Sequence, residues 1–405
     1  MIFSRQLAQL ALGAASVGSV SAMAVHTSSV DYALCQYPTP NLLEGCPEGT
    51  IVVGSVASHR QAHFSTIQDA IGSLPNNTET YTILVLAGNY TEQLNITRQA
   101  PLRLLGQTKN PTDQTQNLVT VYWASANGAG SGFDDNAYTA VLTVAPTLNA
   151  SLTGSGPTGF AVPEDTPFGN EDMRIYNMDF RNVYAEQTAG ASLAISISRA
   201  NAGLYHCGIY SYQDTVYVGH LGNAYLYGCE VAGETDFLYG FGTAWLEACQ
   251  VSLRGCGGGV VAWKGTNTTF ANENKYGCYI ARSRVTAANA SVAANNVHRC
   301  SLGRPWNAQH RSVYIDTYMD ACILPQGYTK WGSTAATSNY NNYTLMAEYE
   351  SFGPGWNATA RLAGNVTKIL DRREERPYAC PVDVFMTQEG KQPNVAWIDA
   401  RYSSC

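Results

Sequence analysis

The 405-residue chain carries 24 Lys and Arg against 31 Asp and Glu, which gives a formal net charge of −7 and a pI near 5.5. This acidic balance argues against nucleic acid as a partner, because phosphate backbones are bound by basic surfaces. Only 14% of the residues are charged, whereas Gly (37) and Tyr (25) are abundant, and this composition favours strands and turns over helices.

The first predicted element is a leader at residues 1–24. Its basic start is followed by an apolar stretch at residues 7–22 and by the small-x-small ending Ala22-Met23-Ala24. This pattern predicts a secretory signal peptide, and the apolar stretch is short and polar-interrupted for a membrane span. We therefore expect a secreted, extracellular protein that does not bind membranes, whose residues 25–405 form a single domain.

Nine Asn-x-Ser/Thr sequons follow the leader, and together with an export signal they indicate a eukaryotic glycoprotein. The sequons begin at Asn76, Asn89, Asn95, Asn149, Asn267, Asn289, Asn342, Asn357 and Asn365. The sequence does not define which of them carry glycans.

Several further elements are predicted before the middle of the chain. Residues 64–71 have the apolar spacing of a short amphipathic helix, and residues 82–87 and 102–106 have the composition of buried strands in successive coils. Residues 111–169 are rich in Gly, Ser, Asn and Pro, and we expect loops there on one flank, interrupted by a strand at residues 140–144.

Eleven cysteines in an exported chain indicate disulfides, with at least one thiol left over. By proximity, Cys35 is expected to pair with Cys46 and Cys380 with Cys405. Six others each precede an aliphatic residue by two positions, the period of a strand with one face inward. These are Cys207, Cys229, Cys249, Cys278, Cys300 and Cys322, which recur at similar steps apart from a longer one between Cys249 and Cys278. Such steps are typical of the coils of a parallel β-helix, in which these thiols would form a buried packing ladder.

The cysteine repeat fades after Gly355, and the tail that follows is expected to pack back along the outside of the β-helix. No segment of the chain has the composition of a linker that would separate a second domain. The repeat therefore predicts one long solenoid rather than two globular domains.

Two aspartates follow cysteines of the repeat at the same distance. Asp214 lies seven residues after Cys207 and Asp236 seven residues after Cys229, so the aspartates are separated by the same step as the cysteines. Equivalent positions in adjacent coils lie about 4.8 Å apart. Two carboxyl groups at that distance cannot easily both ionise, so their pKa values should separate into those of an acid and a base. An Asp beside Gly is ordinarily a turn residue, but this spacing predicts a catalytic pair.

Five motifs that occur in this order resemble those of the pectin methylesterase family, the pectinesterases. They are Gly88-Asn-Tyr-Thr-Glu92, Tyr212-Gln-Asp-Thr215, Gly233-Glu-Thr-Asp-Phe-Leu-Tyr-Gly240, Leu302-Gly-Arg-Pro-Trp306, and Ala347-Glu-Tyr349 with Gly353-Pro-Gly355. The resemblance implies an all-β fold, a right-handed single-stranded parallel β-helix. It also implies hydrolysis of the methyl esters of polygalacturonate without a metal or organic cofactor. We expect a monomer whose partner is pectin.

The resemblance also implies a role for individual residues. Asp236 resembles the nucleophile that attacks the ester carbonyl, and Asp214 resembles the acid that protonates methanol and then activates water. Gln213 resembles the donor to the tetrahedral oxyanion. Arg304 resembles the residue that holds the nucleophilic carboxylate, and Trp306 resembles one that lines the sugar-binding cleft.

Two positions depart from this pattern. The family usually carries a second glutamine about one repeat length before Gln213, where this chain has Ala191, although Gln187 is close enough to substitute if the loop is re-routed. Cys256 lies seven residues after Cys249, which is the spacing of the two aspartates from their cysteines. We expect a paired or buried cysteine there rather than an exposed thiol.

Other functions remain open from the residues alone. A serine esterase is disfavoured because the chain has no Gly-x-Ser-x-Gly elbow. A pectate lyase or polygalacturonase would share the β-helix, and a carboxylate pair also suits a glycosidase. A pectin-binding β-helix without turnover would be consistent with Ala191. Release of methanol without a fall in pectin viscosity separates the esterase from either depolymerase, and binding of pectin without methanol release would establish the binding module.

Overall fold

The structure is a computed structural model that describes residues 31–55, 61–128, 130–153, 165–265, 275–387, 390, 392–403 and 405. The predicted signal peptide at residues 1–24 and the sequon at Asn267 lie outside these ranges. The described residues from Asp31 to Cys405 cluster into one compact unit. None of the helices in these ranges has the length and apolar character needed to cross a membrane.

The described chain winds through three parallel sheets and contributes one strand to each sheet in most coils, which makes a right-handed parallel β-helix. Sheet 1 consists of β1 (Ile51–Val53), β2 (Tyr81–Val85), β5 (Leu102–Gly106), β8 (Met173–Tyr176), β11 (Asn201–Tyr205), β14 (Asn223–Tyr227), β17 (Thr243–Glu247), β20 (Gly277–Ala281), β23 (Arg311–Ile315), β25 (Leu345–Tyr349) and β26 (Lys368–Ile369). Sheet 2 consists of β3 (Gly88–Thr91), β6 (Val119–Trp123), β9 (Asp179–Asn182), β12 (Gly208–Tyr210), β15 (Glu230–Gly233), β18 (Gln250–Leu253), β21 (Arg284–Ala287) and β24 (Tyr318–Met319). Sheet 3 consists of β4 (Leu94–Ile96), β7 (Leu142–Val144), β10 (Ile195–Ile197), β13 (Val216–Val218), β16 (Leu238–Gly240), β19 (Val261–Trp263) and β22 (Gly303–Pro305). The predicted fold class is confirmed.

The core of the β-helix consists of apolar side chains stacked coil upon coil. In sheet 1, Leu204 pairs with Leu226, Leu226 with Leu246, and Leu246 with Ile280. All four are buried. Because side chains alternate across each strand, the same alternation in successive coils keeps one face of every sheet inside.

The cysteine ladder is shorter than predicted. Cys207, Cys229 and Cys249 stack just before their sheet 2 strands, and the position that follows in the next coil is Ser283, whose Oγ accepts from the Cys249 N–H at 3.0 Å. The other three cysteines lie elsewhere: Cys278 in β20, Cys300 before β22 and Cys322 after β24. The six-membered ladder is therefore wrong, because turns of different lengths let a similar sequence step reach a different part of the coil.

Both predicted terminal disulfides are confirmed, Cys35–Cys46 and Cys380–Cys405. A third disulfide joins Cys256 to Cys300. The five other cysteines are buried free thiols.

Short helices lie outside the sheets: α1 (Ala33–Gln36), α2 (Ile67–Gly72), α3 (Ala290–Asn295), α4 (Ala358–Gly364), α5 (Arg372–Glu375) and α6 (Pro381–Val384). The helix predicted at residues 64–71 begins only at Ile67, because Phe64 forms a parallel bridge to Val53. The loops predicted at residues 111–169 contain two strands, β6 and β7. The expectation of loops is therefore wrong at β6, whereas the strand predicted at residues 140–144 is present as β7.

The C-terminal tail packs along the outside of sheet 1, as predicted. The Tyr176 hydroxyl donates to Asp399 Oδ2 at 2.8 Å, and the Asp399 N–H donates to the Tyr205 hydroxyl at 2.7 Å. The Tyr225 hydroxyl donates to the Tyr402 carbonyl at 2.6 Å. A row of buried tyrosines thus anchors the tail, and the tail covers this face of the β-helix.

Candidate active site

Asp214 and Asp236 occupy equivalent turns of adjacent coils, between sheet 2 and sheet 3. Their φ angles are 60° and 48°, in the left-handed region that Asp adopts more readily than most residues. Gln213 and Thr235 form a parallel bridge between the two coils, and the Asp214 N–H donates to the Thr235 carbonyl at 3.1 Å. Only 9% of Asp214 and 7% of Asp236 is exposed. The shared spacing from the cysteines therefore brings the two aspartates into one column.

The column continues to Gly259 rather than to Cys256. The Asp236 N–H donates to the Gly259 carbonyl at 2.8 Å. The register of β16 and β19 agrees with this, since Leu238 pairs with Val261. Although Cys256 follows Cys249 by seven residues, it therefore lies outside the column, because the glycine-rich turn after β18 lengthens the path. Its expected pairing is confirmed by the disulfide to Cys300.

Arg304 holds the Asp236 carboxylate from β22, two coils further on. Its Nη2 lies 2.6 Å from Asp236 Oδ2, and its Nε lies 3.0 Å from Oδ1. The guanidinium passes over Gly258, where a Cβ would lie 2.5 Å from the Arg304 Cζ. Because Gly258 has no side chain, Arg304 can extend past this turn to the Asp236 carboxylate. The contact that the family resemblance implied is present.

Burial raises the pKa of both carboxyl groups, and it does so more strongly for Asp214. For Asp214 the negative charge of Asp236 adds to burial and Arg304 offsets only part, so the pKa lies well above its usual range. For Asp236 the hydrogen bonds and charge of Arg304 oppose burial directly, together with a backbone hydrogen bond from Gly259. The geometry therefore favours a proton on Asp214 and negative charge on Asp236.

Gln213 lies directly before Asp214 and is half-buried. Its carbonyl accepts from the Ser192 N–H at 3.0 Å, which ties the turn to the preceding coil. No hydrogen bond to its side-chain amide is formed within the described ranges. The side-chain amide of Gln213, a residue adjacent in sequence to Asp214, thus has no hydrogen-bond partner among the described residues.

Trp306 is half-buried and packs against the aromatic face of sheet 3. Its ring centroid lies 5.6 Å from that of Tyr239, which in turn lies 4.8 Å from that of Tyr217. Lys264 Nζ sits 3.6 Å from the Trp306 ring centroid, and burial lowers the pKa of this lysine to about 8. These side chains form one wall beside the two aspartates. Phe237, by contrast, is fully buried in the core.

Sequence reasoning missed Asn136. This half-buried residue opens a 3₁₀ turn, Asn136–Thr139, in the segment predicted as loops. Its Nδ2 donates to Asp214 Oδ2 at 3.2 Å and to the Tyr239 hydroxyl at 3.4 Å. The only sequence signal is Asp135, which caps the turn through its side chain. That signal marks a turn and not its place in the fold.

The two residues considered for a second glutamine position, Ala191 and Gln187, lie apart from the contact between Asn136 and Asp214. Ser192, and not Ala191, is the residue opposite Gln213, in keeping with the register of β10 and β13, which pairs Ile195 with Val216. Ala191 is buried and pairs through its backbone with Asn127. Gln187 is exposed, and its side chain makes no hydrogen bond to either aspartate in the described structure.

Comparison with known proteins gives consistent matches over most of the chain. A family model described as Pectinesterase matches residues 165–388. "Probable pectinesterase A" of Aspergillus niger is 29% identical over 314 residues, which cover 75% of this chain and 82% of the relative. "Pectinesterase 31" of Arabidopsis thaliana is 29% identical over 222 residues, which cover 52% of this chain and 65% of that protein.

Solved structures match in fold as well. The deglycosylated pectin methylesterase of Aspergillus niger superposes with a TM-score of 0.60 at 25% identity, over 76% of this chain and 87% of that one. Pectin methylesterase from carrot superposes with a TM-score of 0.63 at 20% identity, over 82% and 92%. A pectin methylesterase mutant in complex with a hexasaccharide superposes with a TM-score of 0.62 at 21% identity, over 84% and 96%.

Proposed function

The chain belongs to the pectinesterase family, the hydrolases of pectin methyl esters, and we propose that it cleaves those esters through a covalent acyl intermediate on Asp236. The observation that carries this proposal is the asymmetric pair of aspartates. Arg304 holds Asp236 through two nitrogens, whereas Asp214 has the pKa raised well above its usual range. One carboxyl is equipped to attack and the other to hold a proton.

In the first half of the reaction, a carboxylate oxygen of Asp236 attacks the ester carbonyl carbon of a methylated galacturonate. The bond from that carbon to the methoxy oxygen breaks, and Asp214 donates its proton to the departing methanol. The Gln213 amide donates to the oxyanion that forms in between, a contribution of about 3–4 kcal/mol in comparable oxyanion holes. The product is a mixed anhydride between the sugar carboxyl and Asp236.

In the second half, Asp214 acts as a base, because it has just lost its proton. It takes a proton from a water molecule, whose oxygen attacks the galacturonyl carbonyl carbon. The anhydride bond to Asp236 breaks, and the free sugar carboxyl leaves with the enzyme restored. Arg304 stabilises the Asp236 carboxylate as it returns to the charged form.

The aromatic wall supports a carbohydrate substrate. The half-buried Trp306, which packs on the buried ring of Tyr239, presents ring surface on this wall, and the face of a sugar ring packs on such surfaces by apolar contact. A solved relative carries a hexasaccharide, which supports an oligomeric pectin segment as the ligand here. The predicted signal peptide at residues 1–24 and the sequons support a secreted glycoprotein that acts on plant cell-wall pectin outside the cell.

The test is to follow methanol and viscosity together on highly methylated pectin. The esterase releases methanol in proportion to new free carboxyl groups while the viscosity stays constant. A fall in viscosity with a matching rise in reducing ends would instead indicate a depolymerase. Binding of pectin without methanol would indicate a binding module. Asp236→Asn serves as the blank, because an amide cannot form the anhydride.

A further inference from the structure

We propose that Asn136 is a positioning residue for the reaction, which fixes the carboxyl of Asp214 so that its proton resides on Oδ1. This inference rests on the proposed function, since it concerns how Asp214 delivers and takes up its proton. Within the described ranges, the Asn136 amide is the only hydrogen-bond donor to the Asp214 carboxyl, with Nδ2 3.2 Å from Oδ2. In a neutral carboxylic acid, an amide N–H donates to the oxygen that carries no proton, because that oxygen has its lone pairs free to accept. The proton of the neutral acid is thereby directed to Oδ1.

The orientation of the Asn136 amide is set by a second amide. Asn127 Nδ2 donates to Asn136 Oδ1 at 2.9 Å, which leaves the Asn136 nitrogen to face Asp214. Asn127 is itself held, because its backbone exchanges two hydrogen bonds with Ala191 at 2.7 and 3.0 Å. The chain of contacts therefore runs from the coil of Ala191 through two asparagines to the acid.

The turn that carries Asn136 is anchored independently of Asp214. Asp135 Oδ1 accepts from the Ala137 N–H at 2.8 Å and from the Thr153 N–H at 2.9 Å. Asp135 is only 8% exposed. A rigid turn of this kind places a side chain reproducibly, which a positioning role requires.

The small side chain of Ala191 is part of the arrangement. Ala191 is 4% exposed and packs in one apolar cluster with Tyr217 and Tyr239. A long side chain in this packed position would displace the cluster or the Asn127 segment that pairs with it. The small side chain of Ala191 thus leaves room for the segment that delivers Asn136.

The groups that face Asp214 define what the amide changes. Asp236, Arg304 and Tyr239 surround it, and Asn136 is the neutral donor among them. A hydrogen bond donated to a carboxyl group stabilises its ionised form. Removing the amide should therefore raise the pKa of Asp214, and the alkaline limb of kcat/KM, where the acid loses its proton, should move to higher pH.

The experiment compares Asn136→Ala and Asn136→Asp with the parent and with Asn117→Ala. Asn117 is a matched control, because its half-buried amide also donates to a carboxylate, Asp179 Oδ1 at 3.0 Å. We expect Asn136→Ala to lower kcat about 10- to 100-fold, the value of one hydrogen bond to a charged group. KM should stay near the parental value, and the alkaline limb should move upward. Asn117→Ala should match the parent in all three.

Asn136→Asp keeps the shape of the side chain and guards against a folding artefact. At neutral pH its carboxylate cannot donate and repels Asp214, so kcat should fall. At acidic pH the introduced carboxyl is protonated and donates again, so activity should recover relative to Asn136→Ala. Parental kcat and a parental alkaline limb in both variants would overturn the inference. Asp236→Asn in the same series keeps the two hypotheses apart, because methanol release by that variant would refute the proposed function itself.

Discussion

Two arginine–carboxylate pairs among the described residues differ in what surrounds them. Arg361 and Glu348, near the end of the β-helix, are 0% and 1% exposed, with Nε 2.6 Å from Oε1. Arg304 and Asp236 make a contact of the same length, but their side chains are 25% and 10% exposed. The first pair is closed to solvent on every side, and the second has an open face.

The neighbours of each arginine explain the difference. Arg361 also donates to the carbonyls of Leu324 at 2.9 Å and Gly355 at 3.3 Å, so it ties three chain segments together. Arg304 instead stacks over the exposed ring of Trp331 at 4.1 Å, and the carboxylate it holds stands next to Asp214. An ion pair enclosed by backbone stabilises the fold, whereas a similar pair that faces a second carboxyl and a cleft can perform chemistry.

The largest expected effect lies at the open pair. Asp236→Asn should lower methanol release by about 10⁴-fold or more, as loss of a nucleophile does in covalent catalysis. Its melting temperature should stay near the parental value, because Arg304 keeps access to water. Activity at or above about one tenth of the parental rate would remove Asp236 from the chemistry.

The closed pair should behave in the opposite way. Arg361→Ala leaves Glu348 buried without its cation, and we expect a loss of about 3–5 kcal/mol in the free energy of unfolding. Activity per folded molecule should be unchanged. Urea denaturation followed by circular dichroism measures the loss, with Arg373→Ala, at an exposed arginine, as a control within about 0.5 kcal/mol of the parent. Equal stability of both variants would contradict the structural role.

The substitution Gly258→Ala should break the contact between Arg304 and Asp236. In Gly258→Ala the new methyl group meets the guanidinium of Arg304 and Asp236 Oδ1, so the arginine must withdraw. We expect a loss of about 10- to 100-fold in kcat/KM from the weakened charge-assisted contact. Gly72→Ala, where a methyl group meets nothing within 4 Å, is the control. A parental rate in Gly258→Ala would show that Arg304 need not hold Asp236.

The smallest expected effect concerns the pH dependence of the free energy of unfolding. Burial and Asp236 raise the folded-state pKa of Asp214, so its contribution to stability is full below the unfolded pKa and is lost as the pH rises through the folded value. Asp214→Asn should remove this loss and stabilise the protein at neutral pH, by about 1.4 kcal/mol for each unit by which the pKa is raised. Unfolding free energies between pH 4 and pH 8 measure the difference. A pH dependence identical to that of the parent would contradict the raised pKa.

The carboxyl pair was predictable from sequence because it lies in two regular coils. Cys207 and Cys229 mark equivalent positions, and each is followed by the same number of residues before Asp214 and Asp236. Local spacing and a periodic fold are sufficient to stack such groups. The overall β-helix was predictable from these coils together with the family motifs, although only three of the six repeat cysteines occupy equivalent positions.

The remaining contacts depend on irregular segments, which periodicity does not describe. Arg304 reaches Asp236 only because the turn at Gly258 has no side chain and an arginine spans two coils. Asn136 comes from a long excursion whose path is determined by tertiary packing against Ala191. Cys256 lies outside the column of the two aspartates because extra residues in its turn lengthen the path. The path of a turn or loop depends on contacts with distant segments, and the local periodicity of one sequence does not reveal those contacts.

The most direct test of the paired carboxyl groups is methanol release from highly methylated pectin by the parent and by Asp214→Ala at equal concentrations of folded, pectin-binding protein. The account predicts that the parent releases methanol at constant viscosity and that Asp214→Ala releases almost none. Near-parental release by Asp214→Ala would contradict the account, because hydrolysis would then not need the second carboxyl.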